Sequence, residues 1–279
     1  ITCLVNSVEA DFVLDLAGQT AILPEYVEKF NIDTTEKAKI PYDCFQYKNI
    51  PTFRSVSLNS ISFGNNAFAN GLGAFVLKDE PYLRELGVAG IVGGAIFQRV
   101  VLTIDSQRKK LTMSQPYRPS YMKLTNRANT QLLQGVGMEC PITIDGVTFS
   151  CMLDTWNKGL VELNETDFAR LAGTAGKNVQ VYTGYGKTLV TAPAKVAGQC
   201  DFVRMSFKDA PVAENKSLIR SVIGTEILKH GLLSVDFLRQ TIYFQPFDEV
   251  TVKDDVIENH VTVESGKVNE ITGVYFREN

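Results

Sequence analysis

The sequence carries two copies of one pattern, and a chain that writes the same local plan twice is confined to architectures built from two similar halves. Phe12-Val13-Leu14-Asp15-Leu16-Ala17-Gly18 lies near the start and Cys151-Met152-Leu153-Asp154-Thr155-Trp156-Asn157 in the middle. Each is an apolar run that ends in one aspartate and a turn. A second pair follows, Gly90-Ile91-Val92-Gly93 and Ser221-Val222-Ile223-Gly224. Asp154 stands 139 positions beyond Asp15, and Gly224 stands 131 beyond Gly93. The halves therefore have nearly equal internal lengths. At the second spacing residues 90–113 align without gaps on residues 221–244. The identities are Gly93/Gly224, Ile96/Ile227, Leu102/Leu233, Asp105/Asp236 and Arg108/Arg239, and the apolar positions keep phase at Val101/Leu232, Ile104/Val235 and Leu111/Ile242.

A chain of 279 residues is long enough for two domains of roughly 100–150 residues each. The repeat divides it into a first lobe over 1–116, a linker over 117–132, a second lobe over 133–247 and a C-terminal extension over 248–279. The extension lies outside the repeat, begins acidic, and reads as a hairpin around Ser265-Gly266. A net charge of -3, with no Lys/Arg run interleaved with aromatics, excludes a nucleic-acid partner of the electrostatic kind. No apolar run approaches the roughly 20 residues that a membrane-spanning helix needs. Ile1 opens what reads as a strand, without a signal-peptide pattern, which is the expectation for a trimmed or mature form.

The local patterns are mostly those of strands. Val56 to Phe63 alternates with period two, as a half-buried strand does, and Val100–Ile104 and Leu232–Val235 are short buried-strand runs. Asp145-Gly146 predicts a two-residue hairpin turn between Ile142 and Phe149. A matching hairpin is expected around Ser7 to Ala10. Short helices are expected over 24–30, 81–86, 165–172 and 226–230. The fold class is therefore all-β, two similar closed β lobes with few short helices. Folding at Asp145-Gly146 sets Cys140 opposite Cys151; a cross-strand disulfide is geometrically possible there, and two small buried residues is the preferred reading. The five cysteines contain no Cys-x-x-Cys, and the Gly-Gly and Gly-x-Gly pairs lack the setting of a phosphate loop, so neither a metal nor a cofactor is expected. Two histidines and no nucleophile elbow leave little room for a Ser-His-Asp site. Asp105 and Asp236 read as turn formers, and Gly93 and Gly224 as close-packing positions.

Asp15 and Asp154 are the candidate catalytic pair. Two carboxylates held within a few ångströms cannot both ionise easily, so they share a proton; one then works as base toward a bound water and the other as acid toward a carbonyl oxygen. Apolar strand, Asp, turn, a strand-rich segment, then two apolar residues and Gly before a short helix is a pattern that resembles the aspartic peptidases, retropepsin-like and pepsin-like, and most of all the two-repeat bacterial forms. The resemblance spans about residues 1–247. It implies that each half is a closed β lobe, that Asp15 and Asp154 face each other where the lobes meet, and that an extended peptide lies between them. It also implies a monomer of two lobes and a secreted, periplasmic or surface-exposed protein.

The chain departs from the family's loop, which is Asp, Thr or Ser, Gly, then Ala or Ser. In the family the hydroxyl ties the two loops together, and the glycine admits close backbone approach. Here Leu16 removes the first hydroxyl and Ala17 replaces the first glycine. Thr155 keeps the second hydroxyl, while Trp156, the only tryptophan, stands where the second glycine is expected. Leu16, Ala17, Gly18, Thr155 and Trp156 are therefore the expected substrate-contacting residues. The resemblance implies a diverged protein that holds a peptide with hydrolysis weak or lost. The alternative is an active aspartic endopeptidase that uses both aspartates and a shared water.

Overall fold

The computed structural model describes residues 1–34, 47–48, 53–64, 67–78, 80–114, 118, 122–133, 137–183, 188–249, 260–263 and 275–276. The first half supplies β1 (Thr2–Val5), β2 (Val8–Asp15), β3 (Ala21–Ile22), β4 (Arg54–Phe63), β5 (Ala67–Val76) and β6 (Gly90–Gly93), with helices α1 (Glu25–Lys29) and α2 (Pro81–Glu85). It continues through a 3-10 turn, Gly94–Phe97, into β7 (Val101–Asp105) and β8 (Lys110–Ser114). Two short strands follow, β9 (Arg127–Asn129) and β10 (Gln131–Leu133). The second half supplies β11 (Gly137–Ile144), β12 (Val147–Leu153), β13 (Val161–Leu163), α3 (Glu165–Arg170), β14 (Thr174–Ala175), β15 (Val179–Thr183), β16 (Thr188–Ala192), β17 (Ala194–Phe202), β18 (Met205–Glu214) and β19 (Val222–Ile223). After the 3-10 turn Thr225–Lys229 come β20 (Gly231–Asp236) and β21 (Thr241–Pro246), and then β22 (His260–Val263) and β23 (Tyr275–Phe276).

Each half closes into a six-stranded barrel, and the two barrels have the same wiring. In the first, the cycle runs β1-β2-β6-β3-β5-β4 and returns to β1. In the second it runs β11-β12-β19-β13-β18-β17 and returns to β11. The parallel pairs fall in the same places, β2 with β6 and β3 with β5, β12 with β19 and β13 with β18. Closure pairs the strand edges that an open sheet would leave exposed. Inward positions carry the large apolar residues, among them Phe12 and Phe63 in the first barrel and Phe149 and Phe202 in the second, all buried. Each such ring contributes on the order of 2–3 kcal/mol by leaving water.

The two halves share a third sheet, ordered β22-β8-β7-β20-β21-β9. Thr103 of β7 pairs directly with Ser234 of β20, and their hydroxyls are hydrogen-bonded. These two residues are equivalent in the repeat, so a two-fold axis passes between them. Leu102 opposite Val235 and Ile104 opposite Leu233 follow from the same symmetry. The turns that leave β7 and β20 are also copies. Asp105 Oδ1 accepts from the Arg108 amide at 3.0 Å, and Asp236 Oδ1 accepts from the Arg239 amide at 2.9 Å, which makes both aspartates turn formers.

The first hairpin turns at Asn6-Ser7, two residues before the centre of the Ser7 to Ala10 span expected from sequence. Asn6 and Ser7 take φ of 48° and 71°, a left-handed pair that matches Asp145 and Gly146 at 46° and 81°, so Val8 already belongs to β2. Cys140 does lie opposite Cys151, and both are buried free thiols, which is the small-residue reading. Residues 127–129 and 131–133 pair with β21 and β11. In the extension, β22 pairs with β8 and β23 with β5, so these two strands do not form a hairpin with each other. The expected turn at Ser265-Gly266 and Cys44 lie outside the described residues.

Candidate active site

Asp15 ends β2 and Asp154 directly follows β12, and each of these strands lies beside a parallel neighbour, β2 against β6 and β12 against β19. The chain then turns and returns as β3 or β13 on the far side of that neighbour. The crossing is tight, and glycine makes it possible. A Cβ on Gly93 would lie 2.5 Å from the Gly18 carbonyl oxygen, and one on Gly224 would lie 2.3 Å from that of Gly159. Both distances are below any real contact, which is why the two apolar-apolar-Gly motifs keep their last residue.

The turns hold the carboxylates from the backbone side. Asp15 Oδ1 accepts from the Ala17 amide at 3.0 Å, and the Asp15 carbonyl accepts from the Gly18 amide at 3.2 Å. Asp154 Oδ1 accepts from the Trp156 amide at 2.8 Å and the Asn157 amide at 3.1 Å. Asp15 is 4% exposed and Asp154 0%.

The Thr155 hydroxyl joins the loops. Thr155 Oγ1 donates to the Leu14 carbonyl at 2.8 Å and accepts from the Leu16 amide at 3.0 Å. Leu16 is the repeat equivalent of Thr155, so the two-fold axis that passes between Thr103 and Ser234 passes here as well. The bonds bracket Asp15 on both sides. Leu16 has no hydroxyl to return them and is buried in the main core instead.

The glycine that admits the first carboxylate is Gly18, one residue later than the family's loop suggests. A Cβ there would lie 2.2 Å from Asp15 Oδ2. The residues at the next position inward cross between lobes. Ala17 packs with Met152, Leu218 and Val222 of the second lobe, and with Tyr47. Trp156 packs with Leu23, Phe75, Leu83 and Ile91 of the first. Tyr82 of α2 meets the indole edge-on, with ring centroids 5.7 Å apart and planes at 89°. Tyr82 in turn lies 6.0 Å from Tyr182 of β15. Burial, and then a hydrogen bond with Tyr82, hold the Tyr182 phenol above its ordinary pKa. Arg84 anchors α2 by a fork onto Glu25 of α1 at 2.7 and 3.2 Å.

Asn157, Tyr47, Tyr82 and Tyr182 belong to this site and were not singled out from sequence. Asn157 alone carried a local signal, because it closes the quoted strand-Asp-turn pattern. The tyrosines arrive through long-range contacts that no spacing announces. The sequence holds two Asn-x-Ser/Thr sequons, Asn164-Glu165-Thr166 and Asn215-Lys216-Ser217, and the asparagine of the second is spent internally. Asn215 is buried, and its Nδ2 donates to Glu162 Oε2 at 2.7 Å and to the Tyr182 carbonyl at 2.9 Å. Asn164 caps α3 by accepting from the Asp167 amide at 3.0 Å. Among the described residues no group of three or more His, Cys, Asp or Glu is arranged to hold a metal ion.

No protein-family model matches the chain, and no match was found among curated proteins. Among solved structures the chain is similar to a retropepsin-like aspartic protease from Rickettsia conorii, at 14% identity and a TM-score of 0.32, over 42% of this chain and 89% of that one. A correspondence this loose carries no residue across. The chain's own topology is what speaks: two similar closed β lobes, each with an aspartate at the end of a central strand or directly after it, in loops that the Thr155 hydroxyl joins.

Proposed function

We propose that this chain is a diverged aspartic-peptidase-like protein that holds an extended peptide between its lobes, with hydrolysis weak or lost. Asp15 and Asp154 form the candidate dyad, and Leu16, Ala17, Gly18, Thr155 and Trp156 are the residues that would contact the peptide. The observation that carries this reading is the interlocked pair of loops. Thr155 supplies the only side-chain tie from residues 16 and 155, Leu16 cannot reciprocate, and Trp156 fills first-lobe space next to the dyad. Both carboxylates are buried.

A second reading is favoured by one specific observation. Both aspartates survive, each on a turn whose amides bind Oδ1. In that reading the protein is an active aspartic endopeptidase. The pair shares one proton; the ionised member takes a proton from water as it attacks the scissile carbonyl, and the protonated member donates to the carbonyl oxygen. Among the described residues no helix is long and apolar enough to cross a membrane. A secreted, periplasmic or surface location and a two-lobed monomer belong to the same proposal.

The deciding experiment is cleavage of a diverse peptide library from acid to neutral pH, read by mass spectrometry, with Asp154→Asn in parallel. Absence of products from either protein is the expected result for a binding protein. Products from the wild type alone would establish the endopeptidase, and products from both would remove the dyad.

A further inference from the structure

The indole of Trp156 belongs to the second lobe by sequence and to the first by packing. Its buried neighbours, Leu23, Phe75, Leu83 and Ile91 among them, form a cluster separate from the main core that runs through both barrels. Tyr82 borders that cluster, meets the indole edge-on and is only half-buried, so it stands between the cluster and the surface. The two-fold-related place is filled differently. There the residue two beyond the aspartate is Ala17, and the ring in the second lobe's small cluster is Tyr47, 4% exposed, brought in by the first lobe. Tyr47 is tied across by a bridge to Leu218 and by a hydrogen bond from the Lys48 amide to the Ser217 carbonyl at 2.7 Å. Each lobe therefore offers a hollow beside the aspartate loops, and each hollow holds an aromatic ring delivered from the opposite lobe. The residue that delivers it differs, and both receiving clusters are apolar.

We propose that the first-lobe hollow is a binding site for an aromatic side chain of an extended peptide, and that Trp156 is its built-in occupant. This rests on the peptide-holding reading given above. A side chain that sits in the hollow must displace the indole, so the wild-type protein binds with an affinity lowered by the fraction of molecules in which the indole has left. The rim of Tyr82 and Tyr182, in ring contact with each other, is the way out for the indole and the way in for the ligand.

Trp156 is the only tryptophan, so its emission reports on the hollow alone. The probes are Trp-free decapeptides with Phe at the centre and the same peptides with Ala there. Phe-centred peptides are expected to bind Trp156→Ala about tenfold or more tightly than they bind wild type, a difference of about 1.4 kcal/mol. Ala-centred peptides are expected not to distinguish the two proteins, and saturating Phe-centred peptide should move wild-type emission to the red. Indole added to Trp156→Ala should raise its thermal midpoint, which shows a folded protein with the hollow open. Phe-centred peptides that bind both proteins equally, with emission unchanged, would overturn the occupant proposal and leave the peptide-holding reading standing. Binding to neither protein would overturn both. Failure of indole to stabilise a variant with native circular dichroism would overturn the hollow itself.

Discussion

The two aspartate loops are copies that solve one packing problem with opposite choices. After Asp15 the chain keeps its residues small, Ala17 and Gly18, and spends the following position's space on the carboxylate, since Gly18 has no room for a Cβ beside Asp15 Oδ2. After Asp154 it places the largest residue available, and the indole leaves its own lobe to pack in the other. The tie is one-sided in the same way. Thr155 reaches across to both neighbours of Asp15, and Leu16, its equivalent, turns into the core. Two-fold architecture thus fixes where the loops meet and leaves each loop free to fill the shared space differently.

The comparison can be broken most severely at residue 156. Trp156→Ala should cost about 3–5 kcal/mol by leaving a cavity among Leu23, Phe75 and Ile91, whereas Ala17→Gly should cost about 1 kcal/mol or less; urea unfolding of the two variants measures both. Next comes the tie. Thr155→Val leaves the Leu14 carbonyl and Leu16 amide without the hydroxyl that now joins them, and should cost about 1–3 kcal/mol. An equal loss from Leu16→Val would mean that the asymmetry is not in the hydrogen bonds. Gly18→Ala forces Asp15 or the turn to move, and a loss of about 1–3 kcal/mol is expected from the strain. If that loss is absent, the close approach at Gly18 is not holding the carboxylate. In function, Leu16→Thr with Ala17→Gly and Trp156→Gly restores the family's loop chemistry at those positions, and library cleavage should rise above wild type. No gain in a refolded triple variant would show that the altered loops are not what limits hydrolysis.

The smallest expected contrast is between the barrels at high pH. Burial pushes the Cys140 and Cys200 thiols up to about 12 and that of Cys151 well above its ordinary value; burial also raises Cys3 in the first barrel. A thiol whose pKa is raised by folding contributes fully below its unfolded value, near 8.5, and that contribution is lost as pH rises toward the folded value. Stability should therefore fall between about pH 9 and about 12. Three of the four described thiols lie in the second barrel, so its amides should lose protection in hydrogen exchange before those of the first. Simultaneous loss would show that the barrels unfold as one unit.

Much of this was legible in the residues. The repeat gave two halves of equal plan because strand phase and turn chemistry are local: Asp145-Gly146 dictates its turn, and Val56 to Phe63 dictates its strand. The placement of Asp15 and Asp154 after equivalent strands was legible because the apolar run, aspartate and turn are a local pattern that the repeat writes twice. The turn at Asn6-Ser7 lies earlier than the Ser7 to Ala10 span expected because both of its residues take a positive φ, and the Val5–Val8 pairing of β1 with β2 fixes it there.

What the sequence determined by itself was the duplication, the strand-rich class and the pair of aspartates, all of which follow from periodicity and short-range sterics. Only the tertiary structure decided that Thr155 lies against its own repeat copy, that Trp156 is packed in the opposite lobe, and that Tyr47, Tyr82 and Tyr182 surround the loops. Those contacts join residues tens to more than a hundred positions apart. Their geometry is set by how two closed barrels meet across a two-fold axis, and no local preference along the chain encodes that meeting.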